Sequence, residues 1–190
     1  LSSSSAASDV YKRQVLGSVS GAVVSHASCP VVVVREDNAV TEENKYGPVV
    51  VGVDGSEVAR RATEVAFEEA AARGAELHAV HTWVDTQIQG PGAGYAVSED
   101  HWKAVRAEKD ELLSSYLNEL SEQYPDVVVK KAITRDRPVR ALAAAAQGAQ
   151  LLVTGSHGRG GFKGMLLGST SRALLQEAPC PMMVVRTQDL

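Results

Sequence analysis

The reading of this chain turns on TGSHGRGGFKGMLLGSTS, at residues 154–171. It follows a short apolar run at residues 151–154 and leads into a helical pattern that begins near Ser169. Gly155, Gly158, Gly160, Gly161 and Gly164 allow positive φ and let backbone N–H groups approach a ligand that a Cβ would hold away. Gly168 and Ser169 then open a helix, where N–H groups without intrahelical partners and the positive end of the dipole favour an anion. The hydroxyls of Ser169, Thr170 and Ser171 add donors, and Arg159 and Lys163 either supply charge to outer phosphates or stand in solvent as ordinary loop cations. Glycines of this kind also make surface turns, and serine is a common helix cap, so the stretch needs its context.

Upstream, PVVVGVD is a short β-branched run suited to a strand buried on both faces. Val58, Ala62, Val65, Ala66 and Ala70 recur at helical spacing until Gly74 ends the pattern. Residues 76–83 read as a second strand and residues 85–97, with Gly90, Pro91, Gly92 and Gly94, as a mobile loop. Trp102, Val105, Leu112, Leu113, Tyr116, Leu117 and Leu120 keep to one face of a long helix before Pro125. Residues 127–133 form a third strand, and Asp136 is expected to cap a helix that has Pro138 in its first turn and ends near Gly148. Residues 151–154 and 182–186 supply the last two strands. Strands alternating with helices imply an α/β fold: a five-stranded parallel sheet, doubly wound, with ligands beyond the strands' C-terminal ends.

The chain also repeats itself. LGSVSGAVVSHASCPVVVVR at residues 16–35 aligns with LGSTSRALLQEAPCPMMVVR at residues 167–186, with eleven of twenty positions identical. LGSxS, CP and VVR in one register indicate duplication. Residues 1–14 then read as an unstructured or artefactual leader, 15–35 as the helix–strand end of a preceding domain, 36–46 as a polar, acidic linker whose run of acids is solvated, and 47–188 as one whole domain.

Composition narrows the function classes. Hydrophobic residues at 44% and charged residues at 22% are those of a folding chain, and a net charge of −4 provides no global field for nucleic acid. Apolar runs are far shorter than the roughly 20 residues a membrane helix needs, so no membrane partner is expected. Cys29 and Cys180 have neither disulfide-framework nor zinc spacing, which fits a reducing cytoplasm. His78 and His81 are three apart in a strand, on opposite faces, and make no metal pair. The chain lacks GxxxxGK(S/T), GxGxxG and GxSxG, so no catalytic residue is assigned.

The spacing from Gly155 through two residues to Gly158, then nine residues to Gly168 and Ser169, together with VGVDGS at residues 51–56, resembles the ATP-binding class of the universal stress protein family. The resemblance implies an adenine nucleotide α-hydrolase-like fold and a tandem-domain parent. It places Gly52, Val53 and Asp54 against the nucleoside, with Asp54 on the ribose hydroxyls and Thr82 at the adenine edge. Gly155, His157 and Gly158 would line the ribose and α-phosphate, with Gly168, Ser169, Thr170 and Ser171 on the phosphate chain. ATP, with Mg²⁺ on its phosphates, is the implied ligand, bound for regulation in stress physiology and turned over slowly if at all. The alternatives are an ATP-cleaving or adenylating enzyme of the same superfamily and an interaction domain without nucleotide. In the family, final strands pair antiparallel. The segments at residues 31–35 and 182–186 are therefore expected to pair, in a homodimer or as a pseudo-dimer within one chain.

Overall fold

A run of three valines, each fully buried, starts the central strand of the sheet in the computed structural model, which describes residues 17–83, 99–160 and 166–187. In chain order the elements are α1 (Ser18–His26), β1 (Val31–Val33), β2 (Val49–Gly52), α2 (Glu57–Arg73), β3 (Leu77–Thr82), α3 (Glu99–Gln123) and β4 (Val129–Thr134). α4 (Pro138–Ala145), β5 (Leu151–Gly155), α5 (Ser169–Glu177) and β6 (Met182–Val185) complete them. The expected loop at residues 85–97, the leader at 1–14, and Gly161, Lys163 and Gly164 lie outside the described residues.

Local chemistry sets the helix ends. The Ser56 hydroxyl caps α2 by accepting the Ala59 N–H, and Gly74 closes that helix in the left-handed conformation at φ 59°. The cap expected from Asp136 is not made. Pro138 stands at the first helical position of α4, Arg137 occupies the cap position with no side-chain cap bond, and Asp136 instead pairs with Arg140. Asp136 stands one residue ahead of the cap position and its Oδ1 accepts the adjacent Arg137 N–H at 2.7 Å, so the carboxylate is engaged before the helix and does not cap the N–H groups of its first turn.

The sheet has the order β1-β6-β5-β2-β3-β4. Five strands are parallel, as expected, and β1 adds a sixth, antiparallel to β6. α2 and α3 pack on one face around Phe67, Leu113 and Leu117, while α1, α4 and α5 cover the other around Val24, Leu142 and Leu174. From β2 the chain runs outward to β3 and β4, then returns to lay β5 and β6 on the other side. That reversal opens a crevice between the C-terminal ends of β2 and β5, where adjoining loops diverge.

In the added pair, Val32 faces Met183, its own counterpart in the sequence repeat, and Val31 and Val33 face Val184 and Met182. The register is therefore two-fold symmetric about that central pair, as in an isologous contact. Glu36, Asp37, Glu42 and Glu43 are exposed, as expected of the acids in residues 36–46, whereas Asn38 turns inward. Asn38 is buried, accepts the Arg35 N–H, and donates to the carbonyls of Ala178 and Cys180. Burying an amide with all its partners supplied ties this segment to the turn before β6. Among the described residues, no helix is long and apolar enough to cross a membrane.

Candidate functional site

The crevice between β2 and β5 gathers the sequence candidates. Gly52 ends β2, with Val53 and Asp54 just beyond it; Thr82 ends β3; Gly155 ends β5 and leads to His157, Gly158 and Arg159. Opposite them, α5 begins at Ser169 with Gly168 as its cap residue. A cavity of about 150 Å³ is lined by Gly52, Val53, Val80, Thr82, Leu142 and Gly155 among others. It joins a wider one of about 600 Å³ through Asp54, Thr82, His157, Gly158, Thr170 and Ser171, which line both. Arg159, Gly168 and Ser169 line the wider one, so all twelve candidate residues fall on one continuous hollow.

The narrow part is mostly apolar and slot-like. Thr154 also lines it, and its Oγ1 is buried with no hydrogen-bond partner among the described residues. The wide part has a different chemistry. The N–H groups of Ser169, Thr170 and Ser171 form the first turn of α5, where the helix supplies no acceptors, while Arg172 N–H already bonds Gly168 O. Lys109, Arg159 and Arg172 line the same space, and Asp54 is its carboxylate. One end suits a flat base and the other an anion.

Asp54 joins the two sides of the crevice. Its Oδ1 accepts Ser56 N–H at 2.9 Å, and its Oδ2 accepts Arg159 N–H at 3.0 Å across 105 residues of sequence. The side chain that the sequence left free for a ribose is thus already braced, and keeps lone pairs for a further donor. Gly158 explains how the loop comes so close: a Cβ there would stand 2.3 Å from Asp54 Oδ2.

Gly155, Gly158 and Gly168 allow close approach, and neither they nor Gly160 take positive φ. Among the described residues, positive φ belongs to Gly55, Gly74 and Gly148. A Cβ on Gly155 would meet Val58 Cγ1 at 2.8 Å, and one on Gly168 would meet His157 Cα at 3.1 Å. Gly155 thus lets α2 lie against β5, and Gly168 lets the start of α5 close on the loop, where its N–H bonds Ser156 O at 2.7 Å. The Ser171 hydroxyl is spent inside the fold: it is buried and donates to Gly155 O at 2.7 Å. Its contribution to an anion is the backbone N–H, whereas the side chains of Ser169 and Thr170 remain at the cavity.

Lys109, Arg172, Trp83 and His81 line the wider space although they are not among the sequence candidates. Lys109 and Arg172 come from helix positions that look merely solvated. Trp83 follows β3 directly, with Arg135 stacked over its ring at 5.8 Å. His81 is buried with Nδ1 2.6 Å from Val53 O. A carbonyl only accepts, so Nδ1 carries the proton of this hydrogen bond. Alternation along β3 was a legible sign that His81 faces inward; nothing local marks the other three.

Comparison with known proteins follows the same lines. Residues 45–186 match the universal stress protein family. The universal stress protein Rv2005c of Mycobacterium tuberculosis is 46% identical over 175 residues, which is 92% of this chain and 57% of that protein. The chain thus spans little more than half the length of such relatives. A solved universal stress protein in complex with cAMP shares 25% identity at a TM-score of 0.53, over 74% of this chain and 96% of that one. The universal stress protein from Archaeoglobus fulgidus in complex with dAMP shares 25% at 0.51, over 74% of this chain and 98% of that one. With the family model matched over residues 45–186, most of its length, this chain belongs to the universal stress protein family.

Proposed function

We propose that this chain binds ATP, with Mg²⁺ on the phosphates, and works as a stress-response regulator through binding and release and not through fast turnover. The observation that carries the reading is the pairing, in one hollow, of an apolar slot at the ends of β2 and β3 with a cationic, amide-rich space at the start of α5. The solved relatives in complex with cAMP and dAMP support an adenine nucleotide as the ligand class. Triphosphate is favoured over monophosphate because Lys109, Arg159 and Arg172 extend the positive lining beyond the glycine loop.

The donor set fits Mg²⁺ only as a companion of the phosphates. Among the described residues no group of three or more His, Cys, Asp or Glu side chains converges on a point, and Asp54 already braces two N–H groups. Mg²⁺ retains several waters and is commonly held by substrate phosphates with one or two carboxylates, so phosphate oxygens would be its main ligands here.

The test is calorimetric titration of the purified chain with ATP and MgCl₂, alongside adenine analysis of the supernatant after denaturation. Saturable binding with ATP recovered unchanged supports the proposal. Rapid appearance of ADP or AMP replaces it with the enzymatic alternative, and an absence of binding with no adenine released replaces it with an interaction domain.

A further inference from the structure

A second cavity, of about 400 Å³, lies on the α2 and α3 side of the same sheet edge. Its apolar lining is Val53 and Leu113, both buried, and the ring of Tyr116 on α3. The Arg60 guanidinium stacks over that ring at 5.1 Å, while the Tyr116 phenol donates to the Arg60 carbonyl, so the pair is fixed from both ends. A guanidinium on an aromatic ring is a flat surface of the sort on which a nucleobase stacks. Around it Arg60, Lys109 and Arg159 outnumber the single carboxylate, Glu119.

This cavity is not isolated from the nucleotide hollow. Lys109, Arg159 and His81 line both, so two cations and a histidine stand where one space passes into the other. Arg159 reaches across the boundary: its Nη2 lies where a Cβ on Gly55 would stand, 2.4 Å from that point. Three spaces therefore adjoin along the edge: an apolar slot, an amide-rich and cationic passage, and a second cavity floored by Arg60 and Tyr116 that also touches the slot at Val53. A ligand with one base and a phosphate chain fills the first two and leaves the third.

We propose that the site takes a dinucleotide, two nucleosides joined by a polyphosphate bridge. One base would enter the slot, the bridge would pass Lys109 and Arg159, and the second base would stack on Arg60 and Tyr116. This rests on the reading of the main hollow as an adenine-nucleotide site and extends it.

The experiment is calorimetric titration of the full chain with ATP, adenosine 5′-tetraphosphate and diadenosine tetraphosphate at one Mg²⁺ concentration. Diadenosine tetraphosphate is expected to bind about tenfold more tightly than either single-base ligand, the scale of one stacked base. Arg60→Glu and Tyr116→Ala should erase that advantage and leave ATP affinity unchanged; if Tyr116→Ala fails to fold, the exposed Arg60→Glu decides alone. Equal affinity of the two tetraphosphates, or an advantage that survives Arg60→Glu, overturns the dinucleotide while ATP binding stands. Failure of all three ligands to bind overturns both readings.

Discussion

Arg35 and Arg186, equivalent positions of the internal repeat, each hold the end of the other copy's helix. Arg35 donates from Nη1 to Leu175 O at 2.8 Å and from Nη2 to Ala178 O at 2.7 Å, at the end of α5. Arg186 donates to Ser25 O in the last turn of α1. A cation at a helix C-terminus satisfies carbonyls that the helix itself leaves open and opposes the negative end of its dipole. Arg35→Ala should therefore lower the unfolding free energy by about 1.5 to 3 kcal/mol, the range for hydrogen bonds to a charged group. Urea denaturation checks this, and an unchanged midpoint would mean that α1 and β1 dock without energetic consequence.

Gly158→Ala isolates the loop brace. The added methyl would sit on Asp54 Oδ2 and displace it from Arg159 N–H, while Gly158 itself is exposed and carries no core contact. ATP affinity should fall by about tenfold or more, equivalent to roughly 1.4 kcal/mol, with little change in Tm. Gly155→Ala should lower both affinity and Tm, because its methyl would press on Val58 in α2. Calorimetry and thermal melts on the two variants separate the effects.

Asp54→Ala removes the acceptor for both Ser56 and Arg159 N–H groups. Inorganic triphosphate should bind somewhat less well because the loop loses its anchor, and ATP should lose more because the ribose loses a partner as well. Parallel titrations with the two ligands check this; equal losses would confine Asp54 to bracing the loop.

Alkaline pH should destabilise the fold. Burial pushes the Cys180 thiol up to about 12 against the opposing pull of the Arg35 charge. Burial, reinforced by the Glu64 carboxylate, pushes the Tyr116 phenol up to about 12 as well. Both pKa values are raised in the folded chain, from 9.0 and 10.0, so the folded state binds more protons than the unfolded state across that interval. Stability from these groups is whole below pH 9 and declines as pH rises toward 12. Urea midpoints measured at successive pH values should show the decline, and Cys180→Ala should delay its onset. In thiol labelling at neutral pH, exposed Cys29 should react at once and Cys180 only after unfolding.

Much of this architecture was written locally. The valine run before Gly52 needs burial on both faces, the apolar spacing of α2 and α3 needs one covered side, and Ser56 and Gly74 mark where a helix starts and stops. That the glycine loop lies at the C-terminal ends of the strands was legible because strand, loop and helix start are neighbours in sequence. What escaped depends on contacts between distant segments. Nothing near Lys109 says that α3 aims it at the loop after β5, and nothing near Ser171 says that its hydroxyl is spent on Gly155. Asn38 reads as one more polar linker residue until two carbonyls beyond α5 are brought beside it.

The strand pair centred on Val32 and Met183 also has a consequence for how the molecule behaves on dilution. Two separate chains that meet edge to edge come apart when they are scarce, because association competes with translational freedom. Here one chain carries both partners, so the contact forms at an effective concentration set by the intervening polypeptide and not by how much protein is present. The edge of β6 thus stays covered even when each molecule is alone.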